Sequence, residues 1–182
     1  SYPGNLNCKA IYELNNNNEL LINFQAISDQ DTIVNLTNHN YWNFHGHGDH
    51  YQNNEDHVVN INSNLICETD EQSIPTGNLI NVEDTKFNLK NEFLISKEFL
   101  NSGGIDHNYA LKGQSMMESV ATIYSKKTRM GVEYFTNQHG IQFYTGNMML
   151  DKYIGKYNKV YGPQYGMCLE PQHYPDAVNH TN

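Results

Sequence analysis

The chain has 182 residues and a mass of 20.9 kDa, enough for one domain with a sizeable core, and 13 Tyr add contact area to a modest aliphatic content. A formal charge of −9, with Arg129 the single arginine, leaves no basic stripe to neutralise phosphates and argues against nucleic-acid binding. No apolar run is long enough to span a bilayer, so no helical membrane segment is expected within these residues.

In chain order, the apolar period is two rather than 3.6. Leu20, Ile22, Phe24 and Ala26 alternate with more polar neighbours, which predicts half-buried strands over residues 9–14 and 19–26. The tract 15–18 is all Asn, a residue that tolerates left-handed backbone, so a hairpin turn is expected there. The chain holds 27 Asn in all, spread through turns and strands alike, and the residue type by itself carries little information. Further strands are expected over 32–38, 57–66, 119–124, 130–136 and 141–146, one short helix over 92–100, and an exposed loop over 151–164. Ser73-Ile74-Pro75-Thr76-Gly77 and Ser102-Gly103-Gly104 read as turns. Many strands with almost no helix indicate an all-β protein, an antiparallel sandwich or barrel. Three cysteines, Cys8, Cys67 and Cys168, are odd in number and far apart, which points to free, buried thiols and a reducing, cytoplasmic setting.

The densest polar cluster is Asn38-His39-Asn40-Tyr41-Trp42-Asn43, followed by His45, His47, Asp49 and His50. The second group offers imidazole and carboxylate ligands of the kind zinc takes, but its spacing matches no established metal motif, and a solvent-exposed polar loop is the simpler reading. His39, flanked by amides and aromatics, is by itself either a hydrogen-bonded structural histidine or a proton-transfer group. Glu170 sits in the apolar run Met167-Cys168-Leu169-Glu170-Pro171. It is either an exposed edge-strand side chain or a buried acid that needs a partner or a function. Asp106-His107-Asn108-Tyr109 and the stretch from Asn137 to Asn147 alternate polar groups with aromatics, the two kinds of side chain that sugar sites combine.

Taken in order, Tyr2-Pro3-Gly4, Val34-Asn35-Leu36-Thr37-Asn38-His39-Asn40-Tyr41-Trp42-Asn43, Pro75-Thr76-Gly77, Asp106-His107-Asn108, Gln142-Phe143-Tyr144-Thr145-Gly146-Asn147 and the segment from Cys168 to Ala177 resemble the aldose 1-epimerase (galactose mutarotase) family. The resemblance spans nearly the whole chain. It implies a large antiparallel β-sandwich, the galactose mutarotase-like supersandwich, with an open cleft for a free hexose such as galactose or glucose. It also implies that Glu170 is the general base at the anomeric hydroxyl, that His39 is the general acid at the ring oxygen, and that Asp106 and Gln142 bind sugar hydroxyls. Proton transfer alone needs no cofactor and no metal. The apolar neighbours Met167 and Leu169 are expected to desolvate Glu170 and raise its pKa.

The sequence also departs from the family pattern. An upstream segment that supplies an Arg and a second His to the family's sugar site has no counterpart, nor does the family's last strand. Residues 1–182 are therefore expected to form one partial mutarotase-like domain. Trp42 stands where Phe is usual, Pro171 where Thr is common and Met148 where an aromatic is common, and the last two are expected to alter the cleft wall. Two other functions fit the same features: a non-catalytic sugar-binding module, and a hexose-phosphate epimerase, which would want Arg or Lys in the cleft.

Overall fold

The computed structural model describes residues 2–47, 52–111 and 118–180. These fall into two compact units, residues 1–36 and 37–182.

The first unit is an antiparallel hairpin of β1 (Leu6–Leu14) and β2 (Leu20–Ser28), in register from Leu6 opposite Ser28 to Leu14 opposite Leu20. The asparagine tract forms the turn as expected. Asn18 takes the left-handed conformation at φ 62°, and the Asn15 side-chain oxygen accepts from the backbone N–H groups of Asn17 and Glu19. The expected half-burial is not found. Most of both strands is exposed, because a two-stranded ribbon has no layer of its own to cover either face. Cys8 is exposed here, whereas Cys67 and Cys168 are buried in the second unit, and all three thiols are free.

The second unit holds two antiparallel sheets. One contains β3 (His57–Ile61), β6 (Phe93–Leu94), β8 (Glu118–Ser125) and β9 (Met130–Thr136), in the order β6-β3-β8-β9. The other contains β4 (Leu65–Thr69), β5 (Pro75–Asn81), β7 (Asp106–Ala110), β10 (Gly140–Tyr144) and β11 (Cys168–Gln172), in the order β11-β10-β7-β4-β5. Apolar side chains of both sheets meet in one core: Val59, Ile61 and Ile123 from the first, Ile66, Tyr109, Ile141, Phe143 and Leu169 from the second. This is the sandwich that the strand-rich pattern indicates.

Four local expectations are corrected. The single strand over 57–66 is two strands in different sheets, because the chain crosses between layers at 62–64. There Asn62 N–H donates to Val120 O and Asn64 O accepts from Val82 N–H, so the backbone polar groups of the crossing find partners outside one ladder, and the Ser63 hydroxyl donates to Ala110 O. Residues 32–38 form no strand. Their β-prone composition is not matched by a ladder, and pairing begins only at Trp42, which exchanges backbone hydrogen bonds with Met167. The helix is confined to α1 (Lys97–Asn101), capped by the Ser96 hydroxyl on Phe99 N–H, with the residues before it taken by β6. The Pro75-Thr76-Gly77 segment opens strand β5 rather than ending as a turn, with its bend just before it at Ser73, φ 64°. The second expected turn does form. Gly104 has φ 61°, and a Cβ there would lie 2.2 Å from Thr145 Oγ1, so a side chain is excluded on both counts.

Of the group read as an exposed polar loop, His45 departs from that reading. His45 is 4% exposed, with Nε2 2.6 Å from Glu55 O and Nδ1 3.3 Å from Ser125 Oγ, and its ring lies 4.2 Å from that of the fully buried His57. Both ring nitrogens of His45 are therefore engaged within the protein. His47 is exposed and lies 2.9 Å from Tyr161 OH, while Asp49 and His50 fall outside the described residues.

His57 Nε2 accepts from Phe44 N–H at 2.9 Å, and Nδ1 lies 3.1 Å from Asn54 O, an arrangement that requires the neutral ring with its proton on Nδ1. Burial, reinforced by His45, pushes its pKa down from 6.5 to about 4. The unfolded chain therefore binds a proton as pH falls through 6.5 while the folded chain does not. The contribution of His57 is complete above that value and lost progressively towards about 4. Urea denaturation above and below this window is expected to show a loss of about 3 kcal/mol from this group. Stability that stays flat across the window would show that the buried ring accepts the charge.

Candidate active site

The five-stranded sheet places its apolar residues on the core side and its polar ones on the other, by the alternation of a strand. Glu170 on β11 lies opposite Gln142 on β10, which lies opposite Asn108 on β7. One step along, Cys168, Tyr144 and Asp106 form a second row on the same face. Leu169, Phe143 and Ile141 point the other way and are wholly buried in the core, which fixes the register: a slip of one residue would put Glu170 into that core.

A cleft of about 490 Å³ opens over these two rows. Its volume lies within the range of roughly 300–1,000 Å³ usual for small-molecule sites. Its wall includes His39 and Tyr41 from the segment that leads into the Trp42–Met167 bridge. Trp42 itself packs on the core, stacked on Phe44 with ring centroids 5.6 Å apart, and its Nε1–H donates to Tyr134 OH at 2.6 Å. This anchor and the paired backbone hold the preceding residues beside β11. The His39 ring stacks on Tyr41, centroids 5.0 Å apart and planes 17° from parallel.

His39 and Glu170, 131 positions apart in the sequence, come together with Nε2 3.4 Å from Oε1. The two side chains differ in environment: 51% of His39 is exposed but only 10% of Glu170. Burial raises the Glu170 carboxyl above the ordinary carboxylate range, opposed by His39 and assisted by the negative Asp106. Glu170 lies on an edge strand and is nonetheless buried. Met167 and Leu169 do not cover it, contrary to expectation. They face the core and seat the strand, and the carboxyl is shielded on the cleft side. Pro171 likewise pairs with Ile141 on the other face and stays out of the cleft wall. The edge position tolerates its missing N–H. Met148 does line the cleft.

Asp106 and Gln142 meet at the floor, where Gln142 Nε2 donates to Asp106 Oδ1 at 2.6 Å. The four residues singled out from the sequence thus share one cleft. Arg129 lies in the turn between β8 and β9, in the other sheet. The sequence offers Tyr41, Asn108 and Tyr144 only within mixed polar and aromatic stretches, and Cys67 and Cys168 only as buried thiols; all five lie at or beside the site. The signal was available in the period of two, since Asn108, Tyr144 and Cys168 each stand two positions from Asp106, Gln142 or Glu170.

His39, Cys168 and Glu170 each offer a donor atom, all within 4.8 Å of one another, a set that zinc would accept. Burial pushes the Cys168 thiol far above its ordinary pKa, so a metal would have to displace a firmly held proton there.

Residues 1–182 match the sequence profile of a family described as aldose 1-epimerase. The chain belongs to the aldose 1-epimerase family. It is 38% identical to the galactose mutarotase of Bos taurus over 180 residues, 98% of this chain and 52% of that protein. It is 30% identical to the aldose 1-epimerase of Escherichia coli K12 over 186 residues, 98% of this chain and 53% of that one. Among solved structures it resembles galactose 1-epimerase from Lactobacillus acidophilus, with a TM-score of 0.78 at 28% identity over 96% of this chain and 50% of that chain. A GalM/aldose epimerase homologue from C. elegans gives a TM-score of 0.85 at 23% identity over 98% of this chain and 54% of that chain, a likeness of fold. The chain spans about half the length of these relatives.

Proposed function

We propose that this epimerase-family chain carries the acid/base pair of an aldose 1-epimerase, which interconverts the α and β anomers of a free hexose such as galactose or glucose. The observation that supports it most is the 3.4 Å separation of His39 Nε2 and Glu170 Oε1. Anomer exchange moves protons at two oxygens attached to the same carbon, the anomeric hydroxyl and the ring oxygen. Acid and base must therefore be near neighbours, as these two are.

Glu170 takes the proton of the anomeric hydroxyl. The carbon–oxygen bond at the anomeric centre becomes a carbonyl as its bond to the ring oxygen breaks, and the His39 imidazolium delivers its proton to that ring oxygen. Rotation of the aldehyde by half a turn presents its other face. Reclosure runs with the roles reversed: His39 removes the proton from the ring hydroxyl as it attacks, and Glu170 returns a proton to the carbonyl oxygen. Protons and electron pairs balance without a cofactor. Partial burial suits Glu170 to the base role, since a carboxyl raised above its ordinary value is a stronger proton acceptor. The exposure of His39 lets it exchange protons with solvent between turnovers.

Asp106 and Gln142 are proposed to hold sugar hydroxyls. No Lys or Arg is found among the described residues that line the cleft, which favours a free sugar over a sugar phosphate. The free thiols suit the cytoplasmic setting proposed for it.

The test is the polarimetric decay of freshly dissolved α-D-galactose. The chain is expected to accelerate the approach to anomeric equilibrium in proportion to its concentration. Galactose binding without acceleration would replace the enzyme reading with that of a sugar-binding module.

A further inference from the structure

We infer that Asn108 acts with Gln142 to read one sugar hydroxyl on the floor of the cleft, and that Cys67 sets the orientation in which Asn108 does so; the inference rests on the hexose reading above and assigns it a specificity residue.

Asn108 is 3% exposed and lines the cleft, yet its Nδ2 has no partner. The Oε1 of Gln142, directly opposite on the neighbouring strand, is also buried and unpartnered. A buried amide group without a hydrogen bond is costly, so a pair of them side by side calls for an explanation.

Turning an amide over does not satisfy both orphans. Gln142 is held by Asp106, whose carboxylate oxygen accepts only, so the nitrogen of Gln142 must face it and Oε1 must face away. Asn108 is held by Cys67, whose Sγ lies 3.6 Å from Oδ1. Burial pushes the Cys67 thiol up to about 11, which keeps it an S–H donor. With the Asn108 oxygen on Cys67, Nδ2 faces away; the reverse orientation would leave a weak N–H···S contact at Cys67 and turn Oδ1, a second acceptor, toward Gln142 Oε1, which already lacks a donor. The seat is also tight on the other side, since a Cβ at Gly140 would lie 2.4 Å from Asn108 Oδ1 and 2.9 Å from the Tyr174 ring.

What remains is one donor and one acceptor on directly opposed residues of adjacent strands, whose Cβ atoms stand roughly 4.5–5.5 Å apart. An alcohol is both donor and acceptor. A single hydroxyl accepts from Asn108 Nδ2 and donates to Gln142 Oε1, and it completes both groups at once. Glu170 stands in the same cross-strand row, beyond Gln142. At roughly 4.8 Å per strand the hydroxyl read here lies about 7 Å from the base, across the sugar ring from the anomeric carbon. Selectivity follows from the orphans themselves, because a sugar lacking that hydroxyl, or carrying it in the other configuration, leaves both unpaired.

The test pairs protein variants with altered sugars. Dissociation constants of galactose and of each monodeoxygalactose are measured calorimetrically for the parent chain, Asn108→Ala, Cys67→Ala and Cys67→Ser. Asn108→Ala is expected to weaken galactose about tenfold, yet to change affinity less than about twofold for the one deoxy sugar that lacks the hydroxyl it reads. Cys67→Ala is expected to show the same pattern at about threefold, with Cys67→Ser, whose O–H still donates, restoring the parent value. Equal loss for every deoxy sugar, or no loss for galactose, would overturn the role of Asn108 while leaving the hexose reading intact. A parent chain that binds no hexose would overturn both.

Discussion

Glu170→Gln is expected to lower catalysed mutarotation by about a thousandfold or more while leaving hexose affinity within a few-fold of the parent. Gln keeps the size of the side chain and its place in the row opposite Gln142 but cannot accept the anomeric proton. The chemical step then has only water in place of a positioned base. The partial burial of Glu170 sharpens the expectation, because little solvent reaches that point to substitute for it. Polarimetric kcat together with a calorimetric dissociation constant measures both halves of the prediction. Undiminished kcat would remove Glu170 from the mechanism, and lost binding with the same kcat would make it a substrate anchor instead.

His39→Asn is expected to cost about a hundredfold in kcat, less than the loss at Glu170, because the exposed side of the cleft lets solvent deliver a proton to the ring oxygen. The variant also carries a pH signature. In the parent, activity is expected to fall on the acid side as Glu170 takes up its proton, with burial placing that limb above the ordinary carboxylate value of 4.5. The His39 charge opposes this rise. Its removal therefore leaves the carboxyl harder to ionise, and the acid limb of the residual activity moves to higher pH. A limb that stays in place, or moves down, would show that His39 and Glu170 do not share a field during turnover. A purely structural histidine would lower activity without moving the limb.

The proposed hydroxyl-reading pair extends the same physical logic to specificity. The proposed catalysis uses two groups of opposite role held close together, and so does the proposed recognition at Asn108 and Gln142. The sheet positions Glu170, Asn108 and Gln142, while His39 is held beside β11 by the Trp42–Met167 bridge. Hydrogen-bonded ladders between β7, β10 and β11 fix which side chains are neighbours, while Ile141, Phe143 and Leu169 on the core side lock the register. The cleft face is thereby free to carry polar groups that would be too costly within the core.

Several features were determined by the sequence alone. A period of two and the scarcity of helix signals decide the all-β class, since a strand exposes alternate residues to one face whatever its partner. The asparagine tract decides a hairpin turn, because its residues tolerate a left-handed backbone locally. His39, Asp106, Gln142 and Glu170 could be singled out from the motifs around them. Only the tertiary structure decided the rest. Whether 57–66 is one strand or two depends on which sheet each half joins, and the Thr32–Asn38 region has strand-like residues but no ladder to enter. His45 lies in a polar run yet is buried, because Glu55, Ser125 and His57 converge on it from distant positions. The 3.4 Å contact of His39 with Glu170 and the orientation of Asn108 by Cys67 join residues 131 and 41 positions apart. Such contacts depend on strand order and register, which are properties of pairing between segments. Local propensity does not encode them, and a shift of one residue would turn Cys67, Asn108 or Glu170 to the opposite face of its sheet.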